Sequence, residues 1–202
     1  MVDIFVILGV LSIIVIALLL IWFIARSRTG GIELPEKRAG RIGDSIATAV
    51  IQEILREDDV LLTNVEICLQ DRQMELDNVI VNGNGVFVIE VKNWSGELSG
   101  TEDDYEWIES KMTPGGYFYQ KKLKNPIRQI KRQIYILSQF LKQNEIHVWV
   151  NGYVFFVQYN SPIESQYILK TQQDIDVAIH GNIGNALTDA EIKKIKDLLY
   201  YG

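Results

Sequence analysis

The chain has 202 residues and a formal net charge of −6, with 48% hydrophobic and 23% charged residues. This balance is typical of a globular protein and argues against a disordered chain. The negative charge argues against a protein that coats nucleic acid along its whole surface. A single cysteine excludes an intrachain disulfide, which fits a reducing compartment.

The charges are unevenly distributed along the chain. Between Glu53 and Glu109 there are 15 acidic and 3 basic residues, whereas the segment from Lys111 to Lys142 has 8 basic residues and no acidic one. An acidic segment next to a basic one suits a site that holds a cation and also meets a polyanion.

The chain begins with an uncharged apolar segment, residues 4–25. As a helix this segment would rise roughly 33 Å, enough for a bilayer core of about 30 Å. Arg26 and Arg28 follow it, and the positive-inside rule then places the rest of the chain in the cytoplasm. We therefore expect a transmembrane anchor over residues 1–26, a linker over residues 27–39, and a single-pass cell-membrane protein whose C-terminal domain faces the cytoplasm. A cleaved signal peptide is the alternative, which the absence of a basic start disfavours.

Helical and strand patterns alternate along the rest of the chain. The spacing of apolar residues predicts helices over residues 40–55 and 126–141, and the capping-box spacing of Thr188 and Glu191 predicts a last helix that ends near Tyr200. Four β-rich runs predict strands over residues 60–69, 76–81, 86–91 and 146–158. This order predicts an α/β fold with a mixed central sheet flanked by helices.

Asn-Gly sequences bear on two of these β-rich regions. Asn82-Gly83-Asn84-Gly85 separates the second run from the third and is a strong hairpin signal. With a two-residue loop, Asn82 pairs with Gly85, and counting back along both strands places Asp77 directly opposite Glu90. Asn151-Gly152 permits either a tight hairpin or a bulge in one long strand, and the pattern leaves both open.

Asp77, Glu90 and Lys92 form the candidate catalytic group. Opposite residues of a hairpin share a face, with Cβ atoms roughly 4.5–5.5 Å apart, and Lys92 returns to that face because strand side chains alternate. Two facing carboxylates repel each other, and a hard divalent cation with oxygen ligands would compensate. The group suits metal-assisted phosphodiester hydrolysis, with the lysine orienting water or stabilising charge on the phosphate. The alternative is a structural salt bridge in which Lys92 only neutralises Glu90.

Four ordered motifs lie between Gly40 and Phe156. They are Gly40-Arg41-Ile42-Gly43-Asp44, Glu75-Leu76-Asp77-Asn78-Val79-Ile80-Val81, Gly85-Val86-Phe87-Val88-Ile89-Glu90-Val91-Lys92-Asn93 and Asn125-Pro126 with Gln129. Together they resemble the nuclease-related domain, the NERD family, which is grouped with the PD-(D/E)xK nuclease-like folds. The resemblance implies a three-layer restriction-endonuclease-like core over residues 40–160. Residues 161–202 would then form a strand and helix extension that packs on the same domain.

The resemblance also implies a nuclease site that depends on Mg²⁺ or Mn²⁺. Asp77 and Glu90 would be the metal ligands and Lys92 the catalytic lysine. Asp44 would supply a further carboxylate, although it is one methylene shorter than the family's Glu. Glu75 stands where the family has Gln, so it is either an extra ligand or a partner of Lys92.

The basic segment is the candidate nucleic-acid-binding surface. Basic residues mixed with aromatic ones suit a nucleic-acid backbone and its bases. The alternative is a solvated helix face above core aromatics. The expected binding residues are Lys121, Lys122, Lys124, Arg128, Gln129, Lys131 and Arg132.

The sequence therefore predicts a membrane-anchored, metal-dependent nuclease that hydrolyses phosphodiester bonds of DNA. Two alternatives stay open. One is a non-catalytic nucleic-acid-binding module at the membrane, and the other is a membrane-bound interaction protein whose carboxylates are purely structural. No feature indicates the oligomeric state.

Overall fold

The structure is a computed structural model, which describes residues 35–201 except 114, 159, 161–162 and 182–185. The chain divides into two units, Met1–Arg38 and Ala39–Gly202. The described part of the first unit is the beginning of a helix. The sheets and clefts below belong to the second unit.

Four helices and eight strands are present in the described residues. The helices are α1 (Pro35–Gln52), α2 (Pro126–Gln143), α3 (Gln172–His180) and α4 (Asp189–Tyr201). The strands are β1 (Val60–Leu69), β2 (Arg72–Asn82), β3 (Gly85–Lys92), β4 (Glu97–Ser99), β5 (Glu106–Met112), β6 (Phe118–Lys124), β7 (Val150–Phe156) and β8 (Ile168–Leu169).

The main sheet is mixed and has the strand order β1-β2-β3-β7-β8. The β1–β2 and β2–β3 pairs are antiparallel, whereas the β3–β7 and β7–β8 pairs are parallel. Strands β4, β5 and β6 form a separate antiparallel sheet. The predicted α/β fold with a mixed sheet and flanking helices is confirmed. The three-layer restriction-endonuclease-like arrangement and the predicted domain boundaries stay predictions.

Strand β3 is buried on both faces because helices cover both sides of the main sheet. Val86 and Val88 belong to the hydrophobic cluster that includes apolar residues of α2 and α4. Phe87 and Ile89 belong to the other cluster, with apolar residues of α1 and α3. Successive strand residues point to opposite faces, so this run of apolar residues supplies both cores. A charged residue at the end of β3 therefore lies between two apolar layers.

The predicted hairpin register is confirmed for the paired part of β2 and β3. The pairs run from Asn82↔Gly85 to Asn78↔Ile89. Gly85 has a φ of 140°, which only glycine adopts without strain. The turn is also tied to α3, because Asn82 Nδ2 donates to the carbonyl oxygen of Ile179 at 3.1 Å.

Gly152 lies inside one continuous strand, β7, and not in a hairpin. A Cβ atom at this position would lie 2.7 Å from Ile134 Cγ1 and 2.8 Å from Ile130 Cγ1. The glycine therefore allows α2 to pack directly on the sheet, which places the polar residues of α2 near the end of β3.

We expect Gly152→Ala to lower the free energy of unfolding by about 1–3 kcal/mol, because the added methyl overpacks the α2 interface. Urea denaturation measures this as a lower midpoint with an unchanged slope. Gly83→Ala is the control, since a Cβ atom there meets nothing within 4 Å. A loss of equal size in both variants would contradict the packing role of Gly152.

Within the described ranges, no helix is long and apolar enough to cross a bilayer. The longest, α1 and α2, have 18 residues each and contain five and four charged residues, respectively. On this finding the predicted single-pass cell-membrane localisation is wrong. The segment on which it was based, residues 4–25, lies outside the described residues.

Candidate active site

Asp77 lies where strand β2 loses its pairing on both sides. The β1–β2 ladder skips Asp77 and Asn64, and Asn64 has a positive φ of 51°. The β2–β3 ladder ends at Asn78↔Ile89, one pair before Asp77. Asp77 Oδ2 instead accepts the backbone N–H of Val91 at 2.8 Å. The predicted pair opposite Glu90 is thus opened, and the Asp77 carboxylate takes the place of a backbone partner.

Glu90 is the central buried carboxylate of the site, with 3% of its side chain exposed. Its Oε1 accepts hydrogen bonds from Lys92 Nζ and from Gln129 Nε2, the latter at 2.6 Å. Its Oε2 accepts from Gln133 Nε2 at 2.6 Å. A buried carboxylate needs such donors, and here they fix its orientation.

Gln133 is a site residue that the sequence analysis missed. It is 2% exposed and follows Gln129 by four residues on α2. Residues four apart share one helix face, so both amides reach the same carboxylate. That spacing in Gln129-x-x-x-Gln133 is the signal that would have identified it.

Asp44 is brought to the site by the approach of α1 to the end of β3. A Cβ atom at Gly43 would lie 2.5 Å from Asn93 Cβ, so only glycine allows this contact. Asn93 Nδ2 also donates to the carbonyl oxygen of Ala39 at 2.7 Å. The neighbouring Asp44 then shares an open cleft of about 580 Å³ with Asp77 and Glu75, which we call the carboxylate cleft. Its full lining is Arg41, Asp44, Ser45, Thr48, Ala49, Gln52, Thr63, Asn64, Glu75 and Asp77.

The carboxylates of this site carry more negative charge than their surroundings neutralise. Burial, followed by the charge of Glu90, raises the pKa of Asp77 from 3.8 to about 7. Burial, again followed by Glu90, also raises the pKa of Asp44. Lys92 lowers both pKa values, but it is bonded to Glu90 and does not offset the other effects.

The raised pKa of Asp77 predicts that stability without divalent metal falls as pH rises. The folded chain holds the Asp77 proton more tightly than the unfolded chain, so this contribution is complete below pH 3.8 and is lost as pH rises through about 7. We expect Asp77→Asn to reduce this pH dependence, because the amide does not titrate. The measurement is the free energy of unfolding in urea, with EDTA, across this pH range.

Asp71→Asn is the control for this titration, because Asp71 is exposed in the turn between β1 and β2. We expect it to keep the pH dependence of the unmodified chain. Identical profiles for Asp77→Asn and the unmodified chain would show that Asp77 does not titrate as stated.

The donor set at Asp77 and Glu90 fits a hard divalent cation. Asp77 Oδ1 accepts no hydrogen bond from a described residue, and Glu90 Oε2 accepts only the one from Gln133. Mg²⁺ is typically held by one or two carboxylates while water and phosphate oxygens complete its shell. No group of three or more His, Cys, Asp or Glu side chains in the described part of the chain is placed to hold a metal. A cation held by Asp77 and Glu90 would take its remaining ligands from water or substrate.

A second cleft, of about 830 Å³, lies along α2 and is called the basic cleft. Gln129 and Gln133 line it, so it reaches the residues that hold Glu90. Glu75 lines both clefts and is exposed. Lys92, which the sequence analysis offered as a partner of Glu75, bonds to Glu90. The lining of the basic cleft is Gln73, Met74, Glu75, Glu102, Asp103, Tyr105, Lys124, Asn125, Arg128, Gln129, Lys131, Arg132 and Gln133.

Five of the seven expected nucleic-acid-binding residues line the basic cleft, namely Lys124, Arg128, Gln129, Lys131 and Arg132. Lys121 and Lys122 do not line it and lie on the exposed strand β6. Lys122 Nζ is paired with Glu106 Oε2 at 3.0 Å. The basic segment therefore divides into a cleft-lining part and a separate strand.

Comparison with known proteins identifies the family of the chain. The family model of the nuclease-related domain (NERD) matches residues 39–157, which is more than half of the chain. The chain belongs to the NERD family. The roles of the individual site residues stay predictions.

One relative is an uncharacterized protein of Bacillus anthracis. The two chains are 23% identical over 108 residues, which cover 53% of this chain and 49% of the relative. The chain thus spans about half the length of the relative it matches. No solved structure matches the chain.

Proposed function

We propose that this chain is a metal-dependent nuclease that hydrolyses the phosphodiester bonds of DNA. The observation that carries the proposal is the Glu90 carboxylate, buried and fixed by Lys92 and the α2 glutamines, beside the incompletely neutralised Asp77. Membership of the nuclease-related family supports it. Mg²⁺ or Mn²⁺ is the proposed cofactor, with Asp77 and Glu90 as its protein ligands.

Each site residue has a proposed role in this reaction. The bound cation would polarise a phosphoryl oxygen and lower the pKa of its water. Lys92, with 17% of its side chain exposed, donates to phosphate oxygens as negative charge develops on them. Asp44, a carboxylate in the same cleft as Asp77, accepts the proton of the attacking water. Gln129 and Gln133 keep Glu90 in one orientation.

Cleavage by the purified full chain tests the proposal. A labelled DNA substrate, and RNA of the same sequence, are incubated with Mg²⁺, with Mn²⁺ or with EDTA. We expect DNA cleavage with either metal and none with EDTA. We expect Asp77→Ala to lower the rate by about 100-fold or more, since it removes a metal ligand.

Asp71→Asn is the control, because this exposed aspartate lies in the turn before β2, outside both clefts, and asparagine tolerates its positive φ of 62°. It should cut DNA at the rate of the unmodified chain. Cleavage that persists in EDTA, or that is equal with Asp77→Ala, would refute metal-dependent catalysis at this site.

A second candidate function is nucleic-acid binding without cleavage. It is favoured by the three hydrogen bonds that Glu90 already accepts, one of them from the Lys92 ammonium, because a cation would compete with these donors for the carboxylate. It predicts salt-sensitive binding that survives EDTA and Lys92→Ala, together with no cleavage. Failure to bind any nucleic acid at low salt would favour the interaction module instead.

A further inference from the structure

Tyr105 presents an exposed aromatic ring at the basic cleft. Its side chain is 72% exposed although it lines the cleft. The Arg128 guanidinium lies over the ring, 5.4 Å from its centroid. An aromatic ring with a cation on it is a stacking surface on which any unpaired base can lie.

The loop that carries Tyr105 is fixed by Asn125, the residue that caps α2. Asn125 Nδ2 donates to the carbonyl oxygens of Thr101, Glu102 and Asp104 at 3.3, 2.9 and 2.6 Å. The backbone N–H of Asn125 donates to the carbonyl oxygen of Tyr105 at 3.2 Å. Because the loop is already ordered, stacking on the ring costs little conformational entropy.

The charged lining of the basic cleft consists of four basic residues, Lys124, Arg128, Lys131 and Arg132, and three acidic ones, Glu75, Glu102 and Asp103. Lys131 is paired with Glu102 at 2.6 Å, whereas Lys124 and Arg132 make no ion pair with any residue that the structure describes. Both can therefore contact phosphates, which gives affinity independent of sequence. The same cleft is lined by Gln129 and Gln133, which bond to Glu90, so a strand lying in it passes the candidate active site.

We propose that the basic cleft binds single-stranded nucleic acid, with an unpaired base stacked on Tyr105 and phosphates on Lys124 and Arg132. A duplex keeps its base faces covered by its own stacking, so it cannot use Tyr105 in this way. This inference rests on the proposed function, from which it takes nucleic acid as the ligand, and it adds that the bound nucleic acid is single-stranded.

Fluorescence anisotropy with the full chain in EDTA tests the inference without requiring cleavage. The probe is fluorescein-labelled oligothymidylate, compared with a labelled DNA duplex of the same length. We expect the single strand to bind more tightly than the duplex. Tyr105→Ala should weaken single-strand binding about 5- to 150-fold, and Tyr105→Phe should restore it because the ring is kept.

Tyr135→Ala is the matched control, since Tyr135 is 62% exposed on α2 but does not line the cleft. Its affinity should equal that of the unmodified chain. Lys124→Gln and Arg132→Gln should each reduce the salt dependence, by about 0.7 in the slope of log K against log salt for a single strand.

Three results would overturn the inference. They are unchanged binding by Tyr105→Ala, a duplex that binds as tightly as the single strand, and competition by thymidine monophosphate at the same concentration as by the oligonucleotide. Cleavage is scored separately. If the unmodified chain does not cleave DNA but its single-strand binding depends on Tyr105, the nuclease proposal alone is refuted. If the chain cleaves DNA but Tyr105→Ala binds the single strand normally, the stacking site alone is refuted.

Discussion

Replacing Lys92 with alanine is expected to lower the rate of DNA cleavage about 100- to 1,000-fold, the usual cost of removing one donor that stabilises a developing negative charge. The ammonium group of Lys92 is close to Glu90 and is only 17% exposed, so it acts in a partly dry site where a charge has more effect than in water. Single-turnover cleavage with saturating Mg²⁺ measures the chemical step directly.

The chain contains a matched control for this experiment. Lys111 forms an ion pair with Glu109 at 2.8 Å, and the two residues are two positions apart on one strand, like Lys92 and Glu90. Glu109 is as buried as Glu90. It lies on the separate sheet and lines neither cleft. Lys111→Ala should therefore change stability in a similar way and leave cleavage within about twofold.

Neither lysine variant should unfold the chain, because both glutamates keep other donors. Glu90 retains Gln129 and Gln133, and Glu109 retains the backbone N–H of Gly96 at 3.0 Å. If Lys92→Ala cuts DNA at the full rate, the Glu90–Lys92 pair is a structural salt bridge in which Lys92 only neutralises Glu90. An equal loss of cleavage rate in Lys92→Ala and Lys111→Ala would show that lower stability, and not a role of Lys92 in catalysis, is the cause.

Replacing Glu90 with alanine has the largest expected effect on stability. The change leaves Lys92, Gln129 and Gln133 without their common acceptor, and Gln133 is 2% exposed and cannot turn to solvent. Removing one partner of a buried charged network costs about 3–5 kcal/mol of unfolding free energy. Urea denaturation, analysed at an unchanged slope, measures this loss.

Glu109→Ala is the comparison for the Glu90 variant. Lys111 is 27% exposed and regains water when Glu109 is removed, so the main orphan is the Gly96 N–H, worth about 1–3 kcal/mol. The double variant Glu90→Ala with Gln133→Ala should lose less unfolding free energy than the two single variants together. Each single change leaves the other residue without its hydrogen-bond partner, and the double change does not. Strict additivity would contradict the network.

The central part of the fold was predictable because local and long-range signals agree there. Strand β1 has the predicted bounds, Val60–Leu69, and α2 begins at the predicted Pro126. The Asn-Gly turn set the register of the hairpin, and the register gave the candidate group of Asp77, Glu90 and Lys92. Thr188 and Glu191 form the predicted cap of α4, with hydrogen bonds in both directions.

The second sheet was not predicted because its strands lack the usual pattern. Six of the seven residues of β6 are exposed, so no alternation is visible in the sequence. In β5 the buried position 109 is occupied by a glutamate, Glu109, which forms an ion pair with Lys111. A charged residue at a buried position interrupts the apolar pattern that would predict a strand. Helix α3 has only 9 residues, too few for a clear apolar stripe.

Part of the site depends on distant segments and on backbone irregularity that no periodicity encodes. Gln133 and Glu90 are 43 residues apart in sequence and meet only because α2 packs on the sheet at Gly152. The interruption at Asp77 accompanies a positive φ at Asn64, which a regular hairpin would not contain. Register counting placed the two carboxylates together but not the gap between their strands.

The hydrogen bond from Val91 to Asp77 gives the molecule an internal reporter of its own ionisation. The Val91 amide proton lies on a carboxylate oxygen, not on a neighbouring strand carbonyl, so its environment changes when that oxygen gains a proton or a metal ion. In an NMR spectrum this one amide resonance would follow the charge of Asp77 during a titration. The Val91 amide resonance thus monitors the charge of Asp77 without a chemical probe attached to the candidate active site.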